Sequence, residues 1–264
     1  MLRSVKSLEG CAIGATDGTF GKVKDFYFDD QAWVIRYLVV DTGGWLGGRK
    51  VLISPYSIGQ HGSDATVLPA KITKEQIKNS PDMDSDEPVS RQYEKSYLGY
   101  YGYPYYWGGP GLWGDRYYPG TALTGMSAQY VDGYQGYLRA PAVDDGDPHL
   151  RSCNAVKGYN FIASDGEIGH VQGFLLDDLT WSIRYLIVNT SNWWAGHLVL
   201  VSPEWINQVI WVNSQVTVAL DREAIRTAPV YTEGMTIARD AELAIYKHYG
   251  RQSYWQTERT LDAA

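Results

Sequence analysis

The chain has 264 residues, of which 44% are hydrophobic and 20% charged, and its formal net charge at pH 7 is -7. An ordinary apolar fraction and a modest charge exclude an intrinsically disordered protein, and the acidic balance argues against a general nucleic-acid binder, whose footprint would be basic. The length suffices for one large domain or for two small ones with separate cores.

Three features of the sequence bear on its cellular compartment. Its cysteines are Cys11 and Cys153, too few for a disulfide scaffold, which fits a reducing environment. No apolar run follows the charges at Arg3 and Lys6, so we expect no signal peptide. No long uninterrupted apolar window exists, so we expect no transmembrane segment. We therefore predict a cytoplasmic protein.

The sequence contains an internal duplication. Residues 2–107 align without a gap on residues 150–255, and about a third of the aligned positions are identical. The longest shared stretch is Ile-Arg-Tyr-Leu, at residues 35–38 and 183–186. Self-similarity over this length predicts two copies of one structural unit.

Each copy begins with a series of predicted short strands. Asp17-Gly18 separates an apolar run that begins at Cys11 from the alternating run Phe20–Phe28, and Asp-Gly suits the positive φ angles of a two-residue hairpin. Asp29-Asp30 then turns the chain into Trp33–Val40, a β-branched and aromatic run long enough for a central strand.

Two further strands complete the predicted sheet structure of the copy. A Gly-rich loop at Gly43–Gly48 precedes a strand at Lys50–Ile53, which Ser54-Pro55 stops, and a fifth strand follows near Ala65–Leu68. Five or six short antiparallel strands in about eighty residues predict a small closed or nearly closed β-barrel, because closure removes unpaired strand edges.

Helices follow the strands in each copy. Thr73 and Gln76 form a capping box that opens a short helix, and Pro81 ends it. A longer amphipathic helix comes next, and Gly102 and Gly250 lie where its left-handed C-terminal cap is expected. The apolar stripe of this helix consists of Val89, Tyr93, Tyr97 and Tyr101 in the first copy and of Ile237, Ala241, Ile245 and Tyr249 in the second.

These patterns divide a mainly β protein into five segments. The spacer between the copies carries too many aromatic residues for a flexible polar linker, so we expect parts of it to lie against the barrels. The segments are barrel repeat 1 (1–81), an acidic connector and helix (82–107), a Gly/Tyr/Pro-rich spacer (108–149), barrel repeat 2 (150–229), and a C-terminal helix and tail (230–264).

The spacing of these turns and strands, from Gly10 through Gly21-Lys22-Val23 to Ser54-Pro55, resembles the PRC-barrel family. That family is named after the cytoplasmic barrel of the H subunit of the photosynthetic reaction centre and includes the C-terminal domain of the ribosome maturation factor. The segment from Tyr101-Gly102 to Tyr106-Trp107 is similar to the tail of stand-alone bacterial members. The resemblance implies a barrel that docks other proteins and brings no catalytic residues.

No catalytic, cofactor-binding or metal-binding pattern stands out in the sequence. The histidines lack the short spacings that place two ligands on one metal ion. No Lys-Ser/Thr follows the glycines at Gly43–Gly48, as a phosphate-binding loop requires. Asp29-Asp30 and Asp177-Asp178 could bind a cation, although adjacent acids on a turn more often cap backbone amides or face water. We therefore expect no catalytic residue, no cofactor and no metal ion.

Five residues are candidates for an interface with a protein partner or with a second copy of the chain. Trp193 and Trp194 occupy the loop that corresponds to Trp45 in the first copy, and consecutive residues of a strand point to opposite faces, so one of them should be exposed or in an interface. Arg36 and Arg184 lie in the middle of apolar strands. There an arginine needs a salt bridge or an outward position, and a contact between barrels is the alternative.

A non-enzymatic docking or scaffold protein is the function that these observations favour, with a protein partner or a homo-oligomer expected and nucleic acid not. A small-ligand or sugar binder is the alternative, because the aromatic residues from Tyr97 to Tyr118 could stack on sugars. An electron-transport scaffold like the reaction-centre H subunit rests on fold analogy alone. An enzyme of unknown type is the remaining hypothesis.

Overall fold

The fold of the chain is mainly β-sheet. The computed structural model describes residues 1–60, 62, 66–81, 89–107, 109–119, 149–190 and 196–256. The strands are β1 (Leu2–Ser4), β2 (Ala12–Ala15), β3 (Gly18–Phe20), β4 (Lys22–Asp29), β5 (Val34–Asp41), β6 (Lys50–Ile53), β7 (Val67–Pro69), β8 (Leu150–Ser152), β9 (Asn160–Ala163), β10 (Gly166–Asp177), β11 (Ile183–Asn189), β12 (Leu198–Val201), β13 (Ile206–Ile210) and β14 (Gln215–Val218). The α-helices are α1 (Val5–Leu8), α2 (Lys74–Lys78), α3 (Arg91–Tyr101), α4 (Cys153–Val156), α5 (Arg222–Arg226) and α6 (Arg239–His248).

The strands form three open sheets. One has the order β3-β2-β7, a second β6-β5-β4-β8, and a third β12-β11-β10-β9-β14-β13 with β1 also paired to β10. The predicted mainly β fold is thus confirmed, but two tandem closed or nearly closed barrels are not, because the ladders of the described residues do not close. None of the helices in these residues is long and apolar enough to cross a membrane.

The first copy has two sheets where the second has one, and the break lies at Gly21, whose counterpart in the unbroken strand β10 is Gly169. The predicted run Phe20–Phe28 is interrupted at Gly21, which has φ 55 and separates β3 from β4. A Cβ there would lie 2.7 Å from the carbonyl oxygen of Asp41, so only glycine allows this approach of β5. In the second copy β10 runs unbroken and pairs with both β9 and β11, so that β9 to β14 lie in one sheet.

The first hairpin turn lies one residue earlier than predicted. Ala15 pairs with Gly18, so the two loop residues are Thr16 and Asp17, and Gly18 begins β3 with φ 135. The Asp17 carboxylate instead accepts a hydrogen bond of 2.8 Å from the backbone N–H of Lys74. This bond ties the hairpin to the start of α2.

The central strand and the short helix agree with the prediction except at their ends. Trp33 was expected to open the strand but has φ 53 in the preceding turn, so β5 begins one residue later. The capping box is confirmed: the Thr73 hydroxyl accepts from the Gln76 N–H at 3.0 Å, and the Gln76 amide oxygen accepts from the Thr73 N–H at 2.8 Å. Helix α2 ends at Lys78, before Pro81.

The longer helix of the first copy begins two residues after the predicted start of its stripe. Ser90 is the N-cap, and its hydroxyl accepts a hydrogen bond of 3.1 Å from the Tyr93 N–H, so Val89 lies outside the helix. Gly102 has the predicted left-handed conformation, with φ 67, and Gly250 has φ 63. The amphipathic helix that follows each set of strands is therefore present in both copies.

The described residues form two compact units that do not follow chain order. Unit 1 contains Met1, Val5–Asn154 and Asp177–Ser182, and unit 2 contains Leu2–Ser4, Ala155–Leu176 and Ile183–Ala264. Strand β8, the first strand of the second copy, pairs with β4 in unit 1, and β1, the first strand of the first copy, pairs with β10 in unit 2. The sheet that contains β4 and the sheet that contains β10 thus each include the first strand of the other copy. The five segment boundaries given above stay a prediction.

Each unit has its own apolar core. Phe26 and Phe28 are fully buried in unit 1, as are Phe161 and Phe174 in unit 2. Part of the spacer packs in unit 1: Trp113 is buried, and its ring centroid lies 4.9 Å from that of Tyr56. The expectation that parts of the spacer lie against the strand-rich units is therefore met at Trp113, while residues 108 and 120–148 lie outside the described part of the chain.

Candidate functional site

A buried glutamate in the first turn of α3 is the centre of a polar cluster in unit 1. The Glu94 Oε1 atom accepts hydrogen bonds from the Tyr37 hydroxyl at 3.1 Å and from the Tyr106 hydroxyl at 2.5 Å. Its Oε2 atom lies 2.9 Å from Arg91 Nη1, one helical turn earlier on α3. Glu94 therefore connects the central strand, the long helix and the tail that follows it.

Arg36 completes this arrangement, which we call the first cluster (Arg36, Tyr37, Arg91, Glu94 and Tyr106). Its guanidinium carbon lies 3.9 Å from the centroid of the Tyr106 ring, a cation–π contact. Arg36 Nη2 lies 3.1 Å from Asp29 Oδ2, and Nη1 donates to the carbonyl oxygen of Leu112 at 2.5 Å. The side chain is only 3% exposed. The sequence analysis expected a salt bridge or an outward position for this mid-strand arginine, and the structure shows the salt bridge.

The same cluster recurs in unit 2. The Glu242 Oε1 atom accepts from the Tyr185 hydroxyl at 3.0 Å and from the Tyr254 hydroxyl at 3.2 Å, and Oε2 lies 2.9 Å from Arg239 Nη1. Arg184 lies over the Tyr254 ring at 4.0 Å. These five residues, the second cluster, align one for one with the first. The positions that the two copies share thus include a complete polar network as well as apolar core residues.

Burial controls the protonation of both glutamates. It raises the pKa of the Glu94 carboxyl, and the charge of Arg91 and the tyrosine hydrogen bonds only partly oppose that shift. Burial raises the pKa of Glu242 in the same way, opposed by Arg239. It also holds the pKa of Tyr37 and Tyr106 well above the usual tyrosine value, so both hydroxyls stay protonated and act as donors.

Stability should therefore depend on pH through these two glutamates. A raised pKa means that the folded state holds the proton more tightly than the unfolded chain, so the stabilising contribution is complete below the ordinary value of 4.5 and decreases as pH rises through the raised pKa. We expect the free energy of unfolding of the wild type, relative to that of Glu94→Gln/Glu242→Gln, to fall from pH 4.5 to neutral pH in urea titrations. A difference independent of pH would contradict this.

A pocket of about 270 Å³ lies beside the first cluster in unit 1. Its lining includes Arg36, Arg91, Tyr106 and Trp107, together with Asp29, Gln31, Ala32, residues 109–112 and His149. The indole of Trp107 lies against the Arg91 guanidinium, 4.1 Å from its carbon atom to the ring centroid.

The paired aspartates on the turns accept hydrogen bonds from backbone N–H groups and form ion pairs with nearby cationic groups. Asp29 Oδ1 accepts from the backbone N–H groups of Gln31 and Ala32, at 3.0 and 3.1 Å. Asp30 Oδ2 lies 2.9 Å from Arg151 Nε. In the part of the chain that the structure describes, no group of three or more His, Cys, Asp or Glu side chains could hold a metal ion.

The predicted interface residues are found in different settings. Trp45 is half-buried, with its ring centroid 5.1 Å from that of Phe20, and its interface role stays a prediction. Arg36 and Arg184 belong to the two clusters. Trp193 and Trp194 lie outside the described residues.

Glu94 is identical to Glu242 in the aligned copy, but sequence reasoning assigned it no role, and Tyr106 stood out only as part of the tail segment. The available signal was the repeated Arg-x-x-Glu followed twelve residues later by Tyr-Trp, at residues 91–107 and 239–255. That pattern places two charges on one helix face. It does not show which strand they meet.

Comparison with known proteins supports the assignment of the first copy. Residues 2–74 match the family model of the PRC-barrel domain, which confirms the resemblance there and identifies a PRC-barrel domain at the N-terminal end of this chain. An uncharacterized protein of Deinococcus radiodurans is 31% identical over 81 residues. That alignment covers 31% of this chain and 29% of the relative, so the chain matches less than a third of that protein's length.

Proposed function

We propose that this protein is a non-enzymatic, cytoplasmic docking module made of two PRC-barrel-like repeats, and that its partner is a protein. The clusters support a structural role for the buried charges. In both clusters the glutamate accepts hydrogen bonds from two tyrosines and forms an ion pair with an arginine. The hydrogen-bonding capacity of its carboxylate is therefore used to hold the tail to the strands and the helix. We therefore place recognition of the partner protein on the exposed surface and not in the buried clusters.

The edge of β13 in unit 2 is the observation that carries this proposal. Strand β13 pairs with β14 on one side, and no strand of the described residues pairs with its other side. Edge strands are commonly protected by lysine, proline or other charged residues. The stretch from Ile206 to Gln215 contains none of these, and Val212 at its turn is 96% exposed. A strand edge that lacks these protecting residues is suited to the addition of an extended strand from a partner.

The sugar-binding alternative receives less support from the aromatic residues. The rings of Tyr101 and Tyr103 stack at 5.3 Å, and those of Tyr105 and Trp107 stack at 4.7 Å. Because these faces cover one another, they offer little area on which a sugar ring could stack.

Site-specific photo-crosslinking tests the docking edge. A photoreactive amino acid at position 212 should attach to a partner protein in the native cell, while the same residue at position 230, where Val230 is 60% exposed, should not. Asn207→Lys places a charge on the edge and should remove the adduct. Equal adducts from both positions, or an adduct that survives Asn207→Lys, would refute docking at β13.

A further inference from the structure

The pocket beside the first cluster has a positively charged lining. Two guanidinium groups, of Arg36 and Arg91, line it together with a single carboxylate, that of Asp29. Asp29 is already engaged, because Oδ2 pairs with Arg36 and Oδ1 accepts from two backbone N–H groups. Glu94 pairs with Arg91 but does not line the pocket, so the wall itself carries two cations and one engaged anion, which favours a negatively charged ligand.

Arg91 presents the edge of its guanidinium that suits an oxyanion. Its Nη1 atom donates to the Tyr106 hydroxyl at 3.1 Å and forms an ion pair with Glu94. These two contacts occupy one end of the guanidinium group. The described residues supply no hydrogen-bond partner for Nε or Nη2, the two nitrogens of the opposite edge. Contact with the Trp107 ring restricts the orientation of the Arg91 guanidinium plane. Parallel N–H groups of this kind bind two oxygens of a carboxylate or phosphate at once.

Arg36 supplies a second, independent indication of a ligand. Its side chain is 3% exposed and lines the pocket, and its Nε atom is buried with no hydrogen-bond partner among the described residues. A buried unpaired donor is costly unless something accepts from it or an anion offsets its charge.

We propose that this pocket binds a small oxyanion, held by the Nε/Nη2 edge of Arg91 and by the charge of Arg36. Carboxylates and phosphate share this chemistry. A volume of about 270 Å³ has room for roughly nine water-sized groups, which fits a free phosphate or a short dicarboxylate. This site is separate from the β13 edge and does not depend on the docking proposal.

Calorimetric titration of the full chain tests the site, with succinate and inorganic phosphate as separate probes. We expect saturable binding of at least one probe, weakened by added salt. Arg91→Lys keeps the charge but loses the paired N–H edge, and should weaken binding about tenfold or more. Arg239→Lys is the matched control: it alters the equivalent arginine of the second cluster, which does not line this pocket, and should leave binding unchanged.

Ala32→Trp provides a second variant that leaves both arginines in place. Ala32 is exposed and lines the pocket, so a large side chain there should fill it and abolish binding without shifting the midpoint of urea denaturation. The proposal is overturned if neither probe binds the wild type saturably, if Arg91→Lys binds as tightly as the wild type, or if binding survives in Ala32→Trp. The choice between carboxylate and phosphate follows from which probe binds.

Discussion

Glu94→Ala will lower the free energy of unfolding by about 3–5 kcal/mol, because breaking a buried ion pair from one side leaves the remaining groups uncompensated. Three donors lose their acceptor in this variant: the hydroxyls of Tyr37 and Tyr106, and the Arg91 guanidinium. Glu94 is 2% exposed, so water cannot readily replace the carboxylate. Urea denaturation followed by circular dichroism measures the loss.

Two controls separate the network from the simple loss of a side chain. Glu94→Gln keeps an oxygen that can accept from both tyrosines, so we expect less than half of the loss. Glu75→Ala removes an exposed glutamate of α2 and should change the unfolding free energy by no more than about 0.5 kcal/mol. If Glu94→Ala and Glu75→Ala behave alike, the cluster does not stabilise the fold.

Residues 1–119 produced alone will fail to form a stable unit 1, and coproduction with residues 149–256 will restore it. Without the second fragment, β4 loses its partner β8, Asp30 loses Arg151, and the Trp113 indole loses the Thr180 carbonyl to which it donates at 2.9 Å. The exposed edge of β4 and the buried polar groups left unpaired make the isolated fragment unstable.

Copurification measures this dependence. With an affinity tag on residues 1–119 only, the untagged fragment 149–256 should elute with it, and the pair should unfold cooperatively on heating. A fragment that begins at residue 155 lacks β8 and should be recovered in smaller amount. Cooperative unfolding of residues 1–119 alone, at the temperature of the intact chain, would show that β8 is dispensable.

Local elements of the fold could be predicted because their signals lie within a few residues. The capping box at Thr73 and Gln76 and the left-handed Gly102 follow from side-chain and backbone preferences at neighbouring positions. The strand boundary at Trp33 could not be predicted from local preferences. The φ angle of Trp33 is positive, which is unusual for a tryptophan, and the turn between β4 and β5 imposes it.

The oxyanion pocket had no local signal at all. Its lining comes from the turn after β4, the strand β5, the helix α3 and the segment after it, which lie far apart in the sequence. Arg36 stood out in the sequence only as a charge that needed a partner in an apolar strand, and not as part of a pocket. The identity of that partner, Asp29, depends on how the turn brings the two residues together.

The amino-acid sequence by itself determined the duplication, the mainly β character and the PRC-barrel resemblance, because repeats and strand periodicity are properties of order along the chain. The tertiary structure alone decided that the first strand of each copy belongs to the sheet of the other copy, and that Glu94 and Glu242 organise two equivalent clusters. Strand partners and buried ion pairs are chosen by packing between distant segments, and two copies of the same strand have nearly the same local preferences for either sheet.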